Sequence, residues 1–278
     1  FPALKFIGLC HEIASLERFL PLVLERPYTD LDIRAAGLNH FSAVLTATYR
    51  DTGEDAYPDI RARAPEFFGN MPMLDIARKY FKETGAATAV EMELPETITE
   101  AWPERRVFKA VLERFGVLPI TSDSHFGEYI QWAYDVTDHK GINDFYRFYK
   151  NYLMQVEPQI ELKIKERIVP ILEGIVTDSG YEEAAVNIPN HGFIDELPEW
   201  LVVEVPATID KDGIHGIAMG QLPKGFLGLL RNQVAVHDMT AEAILHKSRD
   251  LALQALLVDP IVTRYQGMEE LLDTMIDY

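Results

Sequence analysis

The sequence has almost no cysteine: Cys10 is the single cysteine among 278 residues. One cysteine cannot form a disulfide within the chain, so the fold does not require an oxidising compartment. A lone free thiol is more typical of the reducing cytoplasm. We therefore expect a cytoplasmic protein.

Basic side chains are also scarce. The chain has 26 lysines and arginines against 44 aspartates and glutamates, which gives a formal net charge of -18. Nucleic-acid binding needs a basic surface for the phosphates, and adhesion to an anionic membrane needs one for the headgroups. This charge balance excludes both partner classes from the expectation.

Long apolar runs and several familiar motifs are missing as well. No apolar run reaches the roughly 18 residues of a membrane-spanning helix, and no signal-peptide pattern is present. The 278 residues contain no Gly-x-Gly-x-x-Gly turn, no phosphate-binding loop and no Gly-x-Ser-x-Gly nucleophile motif. A free-standing nucleotide enzyme or serine hydrolase is therefore not expected.

The sequence does contain alternating helix-type and strand-type patterns. Apolar residues recur at helical spacing over residues 13–23, and residues 31–50 are β-prone. Later stretches predict a helix over 143–170, a strand over 200–206 that stops at a proline, and a helix over 240–258. We expect a single α/β unit over residues 1–278, an α+β-like mixed sheet with helices.

The first candidate site lies at the start of the chain. An apolar run over residues 4–9 is followed by Cys10, His11 and Glu12, and His40 comes thirty positions after the cysteine. A thiolate and an imidazole could hold one metal ion and leave most of its coordination sphere open for substrate hydroxyls. The alternative is a buried thiol and an ordinary histidine.

A second candidate site is the segment 121–129. It contains four possible acid–base groups, namely Asp123, His125, Glu128 and Tyr129. The alternative is a capped helix start, with a serine or aspartate as N-cap and an acidic residue in the first turn.

Five segments taken together resemble glycoside hydrolase family 4. These segments are residues 1–11, 36–41, 186–198, 202–207 and 255–260. They occur in the order of the family and extend over nearly the whole chain, whereas residues 55–180 match poorly. The resemblance concerns the C-terminal portion of the family, in the branch that acts on α-galacturonides and α-galactosides.

The resemblance implies an unusual mechanism, since these NAD-dependent enzymes are exceptions to two-carboxylate glycoside hydrolysis. In the family, NAD⁺ transiently oxidises the sugar at C3 and a base removes the acidified C2 proton. The glycosidic oxygen then leaves by elimination, water adds, and the hydride returns. A divalent ion, usually Mn²⁺, polarises the C2 and C3 oxygens.

The resemblance also implies site residues. Cys10 and His40 stand at the positions of the metal ligands, Asn39 at a substrate-contacting position, and His11 at a position suited to protonating the leaving group. The base is a tyrosine or an aspartate in different branches. The roles implied in segment 121–129 are Asp123 or Tyr129 as base and His125 as substrate contact.

The substrate expectation rests on the residues after the cysteine. His11-Glu12 resembles the α-galacturonide branch, so Glu12 is expected to contact substrate. A basic group, Arg105 or Arg106, could pair the carboxylate of a uronic acid. An α-galactoside or an α-glucuronide remains an alternative substrate.

The family's NAD-binding domain precedes the matched region. We expect residues 1–10 to be the last strand of that absent Rossmann domain, and the remainder to resemble the C-terminal domain of lactate and malate dehydrogenases. NAD⁺ would be bound mainly by the absent domain. The segment alone should then bind metal weakly and turn over no substrate, and the protein should form a homodimer or homotetramer.

Two other functions remain open. A related 2-hydroxy-acid dehydrogenase would oxidise its substrate with net production of NADH, but it needs no metal, so the Cys10–His40 pair counts against it. A non-catalytic assembly domain could use the aromatic-rich segment 143–152 as an interface.

Overall fold

The computed structural model describes residues 6–10, 12–70, 105–137, 139 and 167–276. His11, the predicted helical and aromatic-rich segment over 143–166 and residues 1–5 lie outside this range. Within the described residues, no helix is both long and apolar enough to span a membrane.

A six-stranded sheet forms the centre of the described part. Its strands are β1 (Leu31–Leu38), β2 (Phe41–Tyr49), β3 (Leu118–Pro119), β4 (Tyr181–Pro189), β5 (Val202–Asp210) and β6 (Gly213–Gly216). The order is β3-β2-β1-β5-β4, with β6 beside β5. The named strands pair antiparallel, because tight turns after β1 and β5 reverse the chain. The α/β prediction is confirmed, with an antiparallel sheet where a mixed one was expected.

The described residues also form helices. They are α1 (Leu16–Leu24), α2 (Tyr57–Asn70), α3 (Arg106–Phe115), α4 (Asp123–Gly127), α5 (Ala133–Val136), α6 (Ile168–Thr177), α7 (Lys224–His246), α8 (Arg249–Val258) and α9 (Met268–Ile276). Short 3₁₀ turns at Glu12–Ser15 and Tyr28–Asp30 lead into α1 and β1.

Buried aromatic rings join the elements that carry the site. Phe41 follows the β1–β2 turn, and its ring meets those of Phe126 on α4 and Phe226 on α7 at centroid distances of 4.7 and 6.1 Å. All three side chains are fully buried. Such edge-to-face contacts contribute about 0.5–1.5 kcal/mol each beyond burial, so they fix the β1–β2 turn against α4.

The predicted end of β5 at Pro206 is wrong. The strand continues to Asp210, and the neighbouring strand β4 shifts register between Glu183 and Val186, opposite the proline. A proline in a strand is tolerated where a bulge leaves it without a ladder partner for its missing N–H. Its carbonyl still accepts a hydrogen bond from Ile217 N at 2.8 Å.

Two predicted helix boundaries also differ from the structure. Pro170 does not end a helix but lies in the first turn of α6, where backbone N–H groups have no helical acceptor. Thr240 lies inside α7, and Ser248 is the N-cap of α8, accepting from Leu251 N at 3.3 Å.

The described start of the chain reaches the edge of the sheet at one point. Gly8 N donates to Asn187 O at 3.0 Å, and Asn187 N donates to Gly8 O at 2.9 Å. This two-way contact anchors the segment 6–10 beside β4. Its assignment to the last strand of an NAD-binding domain stays a prediction.

Candidate metal centre and active site

The structure brings Cys10 and His40 together. Cys10 Sγ lies 3.1 Å from His40 Nε2, although the residues are thirty positions apart. Cys10 follows the anchored Gly8, and His40 ends the tight β1–β2 turn with a left-handed backbone (φ 61°). Thr121 Oγ1 donates to the His40 carbonyl at 3.2 Å and so fixes this turn from the opposite side.

Arg105 supports this arrangement from the interior. Its guanidinium lies over the rings of Phe19 and Phe108, at 4.4 and 4.7 Å from their centroids, and Nη1 donates to Thr121 O at 3.1 Å. Arg105 is 6% exposed. These contacts make it a scaffold residue rather than a partner for a uronic-acid carboxylate. Arg106 is exposed at the start of α3.

Glu12 adds an oxygen donor to the cluster. The ligand atoms of Cys10, Glu12 and His40 all lie within 4.8 Å of one another, and the three residues are half-buried. Bonds from zinc are about 2.3 Å to sulfur and about 2.1 Å to nitrogen. If the sulfur–ion–nitrogen angle is about 90°, these lengths place the two ligand atoms about 3.1 Å from each other. The observed Sγ–Nε2 distance of 3.1 Å therefore fits a shared ion with right-angled ligands.

Asp123 has a different environment from the one expected of a catalytic base. It is fully buried, and its oxygens accept from the backbone N–H groups of Val107 at 2.9 Å and Phe108 at 3.1 Å. These are N–H groups of the first turn of α3, which have no helical acceptor. Asp123 therefore caps α3 from a neighbouring segment, which argues against proton abstraction by this carboxylate.

Tyr129 lies near the Cys10–His40 pair. Its ring stacks on Phe41, the residue after His40, with centroids 4.9 Å apart and planes 26° apart. Burial raises the pKa of its phenol, and the charges of Glu128, Cys10 and Asp259 raise it further. Tyr129 is thus the one of the two proposed bases that reaches the cluster.

His125 also reaches the cluster, since its ring centroid lies 4.8 Å from that of His40. Its Nδ1 is 3.9 Å from Glu128 Oε2. Asn39 precedes His40 in the turn and is exposed. The substrate roles of these two residues stay predictions, and so does the role of His11.

A buried carboxyl next to the cluster was missed from the sequence. Glu204 on β5 is 2% exposed, and Asn187 Nδ2 donates to its Oε2 at 3.4 Å. Burial raises the pKa of Glu204 to about 7, opposed by hydrogen bonds from Ser42 and Asn187 and reinforced by the charge of Glu12. The signal was a charged residue in the middle of the otherwise apolar run 202–207.

Comparisons with known proteins identify the domain. The family model described as "Family 4 glycosyl hydrolase C-terminal domain" matches residues 35–262. An α-glucosidase of Erwinia rhapontici is 54% identical over 99% of this chain and 62% of its own length. An α-galacturonidase of Bacillus subtilis strain 168 is 26% identical over 94% of this chain and 59% of its own length.

The fold matches as well. A 6-phospho-α-glucosidase from gut microorganisms, solved in complex with NAD and Mn²⁺, superposes with a TM-score of 0.65 at 21% identity, covering 98% of this chain and 60% of that one. The chain thus spans about three fifths of the length of its relatives. The family resemblance is confirmed, whereas the α-galacturonide branch is less similar than the α-glucosidase. The chain belongs to glycosyl hydrolase family 4 and carries its C-terminal domain.

Proposed function

We propose that this chain is the substrate- and metal-binding part of an α-glucosidase that depends on NAD⁺ and a divalent ion, Mn²⁺ in first place. The observation that carries the proposal is the 3.1 Å contact between Cys10 Sγ and His40 Nε2. The similarity to the α-glucosidase of Erwinia rhapontici supports the reaction class and the sugar. The NAD and Mn²⁺ of the 6-phospho-α-glucosidase structure support the cofactors.

Cys10 and His40 would hold the ion. When bound, the ion supplies Lewis-acid polarisation of sugar oxygens, and NAD⁺ supplies the transient oxidation on which the mechanism depends. Thiolate is a softer ligand than Mn²⁺ prefers, so iron, cobalt or nickel could also serve. The thiolate also makes the site sensitive to oxidation, because an oxidised Cys10 cannot bind metal.

Tyr129 is the proposed base. Asp123 is buried with both oxygens bonded to the first turn of α3, whereas Tyr129 stacks against the residue that follows His40. A phenol with a raised pKa keeps its proton near neutral pH and cannot act as a base, whereas a cation at the neighbouring Cys10–His40 pair would lower that pKa and favour the phenolate. The phenolate oxygen would take the C2 proton of the sugar.

The remaining roles are proposals around this pair. His125 and Asn39 flank His40 and would contact sugar hydroxyls, Arg106 would contact the substrate from the start of α3, and His11 would protonate the leaving oxygen. Each of these residues supplies a hydrogen-bond donor. Together they would orient the sugar over the ligand pair.

The sugar is proposed to be neutral. A uronic acid would bring a carboxylate that needs a cationic partner at the site. Arg105, one of the two arginines expected to offset that charge, is held in the scaffold. An α-galacturonide is the second candidate, favoured by the 26% identical α-galacturonidase of Bacillus subtilis.

An assay of the complete protein tests the proposal. With NAD⁺, Mn²⁺ and a thiol reductant, p-nitrophenyl α-glucoside should be hydrolysed faster than the α-galacturonide or α-galactoside. Removal of the metal by a chelator, or of NAD⁺ by dialysis, should stop turnover. Turnover that survives both treatments would contradict the mechanism, and a preference for the α-galacturonide would change the substrate only.

Three further expectations stay predictions. Cytoplasmic location follows from the single thiol, and the homodimer or homotetramer can be tested by light scattering on the purified protein. The same glycosidase assay applied to residues 1–278 alone tests whether this segment turns over no substrate. The family match removes the support for a 2-hydroxy-acid dehydrogenase.

A further inference from the structure

We propose that Glu12 is a third protein ligand of the metal ion, so that the centre is a Cys–Glu–His set rather than a Cys–His pair. This inference rests on the proposed metal site and deepens it. It also replaces the substrate-contacting role that the sequence implied for Glu12.

Geometry is the first support. The thiol of Cys10, a carboxylate oxygen of Glu12 and a ring nitrogen of His40 lie mutually within 4.8 Å. Cys10 and Glu12 flank a single residue at the start of the first 3₁₀ turn, and His40 comes from the tight turn between β1 and β2. Two independent segments thus bring three chemically different donors to one place.

Charge is the second support. Glu12 lies close enough to the buried Glu204 for its charge to act on that carboxyl, and close to a thiol that would be a thiolate when it binds metal. The ion pairs that arginines and Lys211 form within the described ranges do not involve Glu12. Clustered acidic groups in a partly buried site are unfavourable without a cation. A divalent ion between the three donors would offset this repulsion.

Ligand chemistry is the third support. Sulfur and imidazole donors alone suit softer ions, whereas carboxylate oxygen suits Mn²⁺. A Glu12 oxygen would therefore shift the preference of the centre towards a harder ion. A six-coordinate ion with three protein ligands would keep three positions for substrate oxygens and water.

Titration of Mn²⁺ into the metal-free full chain, followed by the electron paramagnetic resonance of free Mn²⁺, tests the inference. Glu12→Gln and Glu12→Ala should weaken binding at least as much as loss of an outer-shell partner does, which is roughly 10–100-fold. Glu17→Gln, an equal charge change at an exposed position of α1, is the matched control and should bind as wild type. Circular dichroism should show the same fold for every variant.

The outcomes separate the two levels of the proposal. If Glu12→Gln and Glu12→Ala bind Mn²⁺ as wild type while Cys10→Ser does not, Glu12 is not a ligand and the Cys10–His40 pair stands. If the Cys10→Ser variant also binds as wild type, or if the wild-type chain binds no Mn²⁺, the metal site itself fails. A second readout is the cobalt-substituted protein. Its d–d absorption should change in Glu12→Ala while the thiolate-to-cobalt band remains, and an unchanged d–d spectrum would overturn the inference.

Discussion

Two regions of this chain carry clustered ionisable side chains, and the structure uses them differently. In the segment 121–129, the carboxylate of Asp123 accepts from Val107 and Phe108 N–H groups and so completes a helix end. Around Cys10, three side chains bring their ligand atoms within 4.8 Å of one another, namely those of Cys10, Glu12 and His40, and such a group could bind a metal ion. Burial with backbone partners is typical of a structural carboxylate, whereas half-buried side chains with converging donor atoms form a candidate metal site.

The largest effect that tests this contrast is expected at Cys10. Cys10→Ser removes the sulfur ligand, so Mn²⁺ affinity should fall by at least about 100-fold, beyond what outer-shell changes cost. Glycosidase activity of the complete protein should fall to background. Calorimetric titration measures the Mn²⁺ affinity, and the p-nitrophenyl assay measures the activity. Kinetics equal to wild type would show that Cys10 is a structural thiol and not a metal ligand.

Tyr129 should show a catalytic effect without a metal effect. Tyr129→Phe keeps the stacking on Phe41 but removes the proposed base, so kcat should fall by roughly 10²–10⁴-fold. Mn²⁺ affinity should not change. Tyr134→Phe, at an exposed tyrosine of α5, is the control. A Tyr129→Phe enzyme with the wild-type kcat would show that Tyr129 is not the base.

Glu204 should make stability depend on pH in the metal-free protein. Its folded pKa of about 7 lies above the ordinary 4.5, so the folded state binds the proton more tightly than the unfolded state. The stabilisation is complete below about pH 4.5 and is lost as the pH rises through 7, by up to about 3 kcal/mol. Glu204→Gln should remove this loss.

Urea unfolding of wild type and of Glu204→Gln at pH 5 and pH 8 measures how much the free energy of unfolding of each protein depends on pH. Glu199→Gln, at an exposed position, is the control and should keep the wild-type dependence. An unchanged pH dependence in Glu204→Gln would mean that this carboxyl titrates normally despite its burial.

The smallest effect is expected at Asp123, and it should appear in stability alone. Asp123→Ala leaves two backbone N–H groups of α3 without their acceptor, which should lower the free energy of unfolding by about 2 kcal/mol. The exposed Asp135→Ala in α5 should change it little. If the folded Asp123→Ala protein bound Mn²⁺ more weakly than wild type, Asp123 would contribute to the metal site, and a purely structural role for it would be wrong.

Part of the fold was predictable because local signals agreed with the tertiary structure. The β-prone stretch 31–50 forms β1 and β2, and Gly116 ends α3 with a left-handed residue. The course of β5 past Pro206 was not predictable, because the bulge that accommodates it lies on β4. The predicted helix start at residue 240 was wrong because Ser248 is the N-cap that determines where α8 begins.

The contact between Cys10 and His40 was predictable from the sequence, whereas the environments of the other candidate residues were not. The resemblance placed Cys10 and His40 together, and the structure places them in contact. Sequence spacing could not decide whether Asp123 or Tyr129 is the better candidate base. Asp123 differs from Tyr129 because it accepts from backbone N–H groups of α3, and this contact is visible only in the structure. Glu204 was not predicted because its raised pKa depends on its burial and on the nearby charge of Glu12, which is distant in sequence.

X-ray absorption spectroscopy of the manganese-loaded protein tests the shared metal centre most directly. The extended fine structure should contain one sulfur scatterer and at least one imidazole, because Cys10 and His40 lie 3.1 Å apart at their ligand atoms. Cys10→Ser should remove the sulfur contribution. A wild-type spectrum with oxygen scatterers alone would contradict a metal centre at Cys10 and His40.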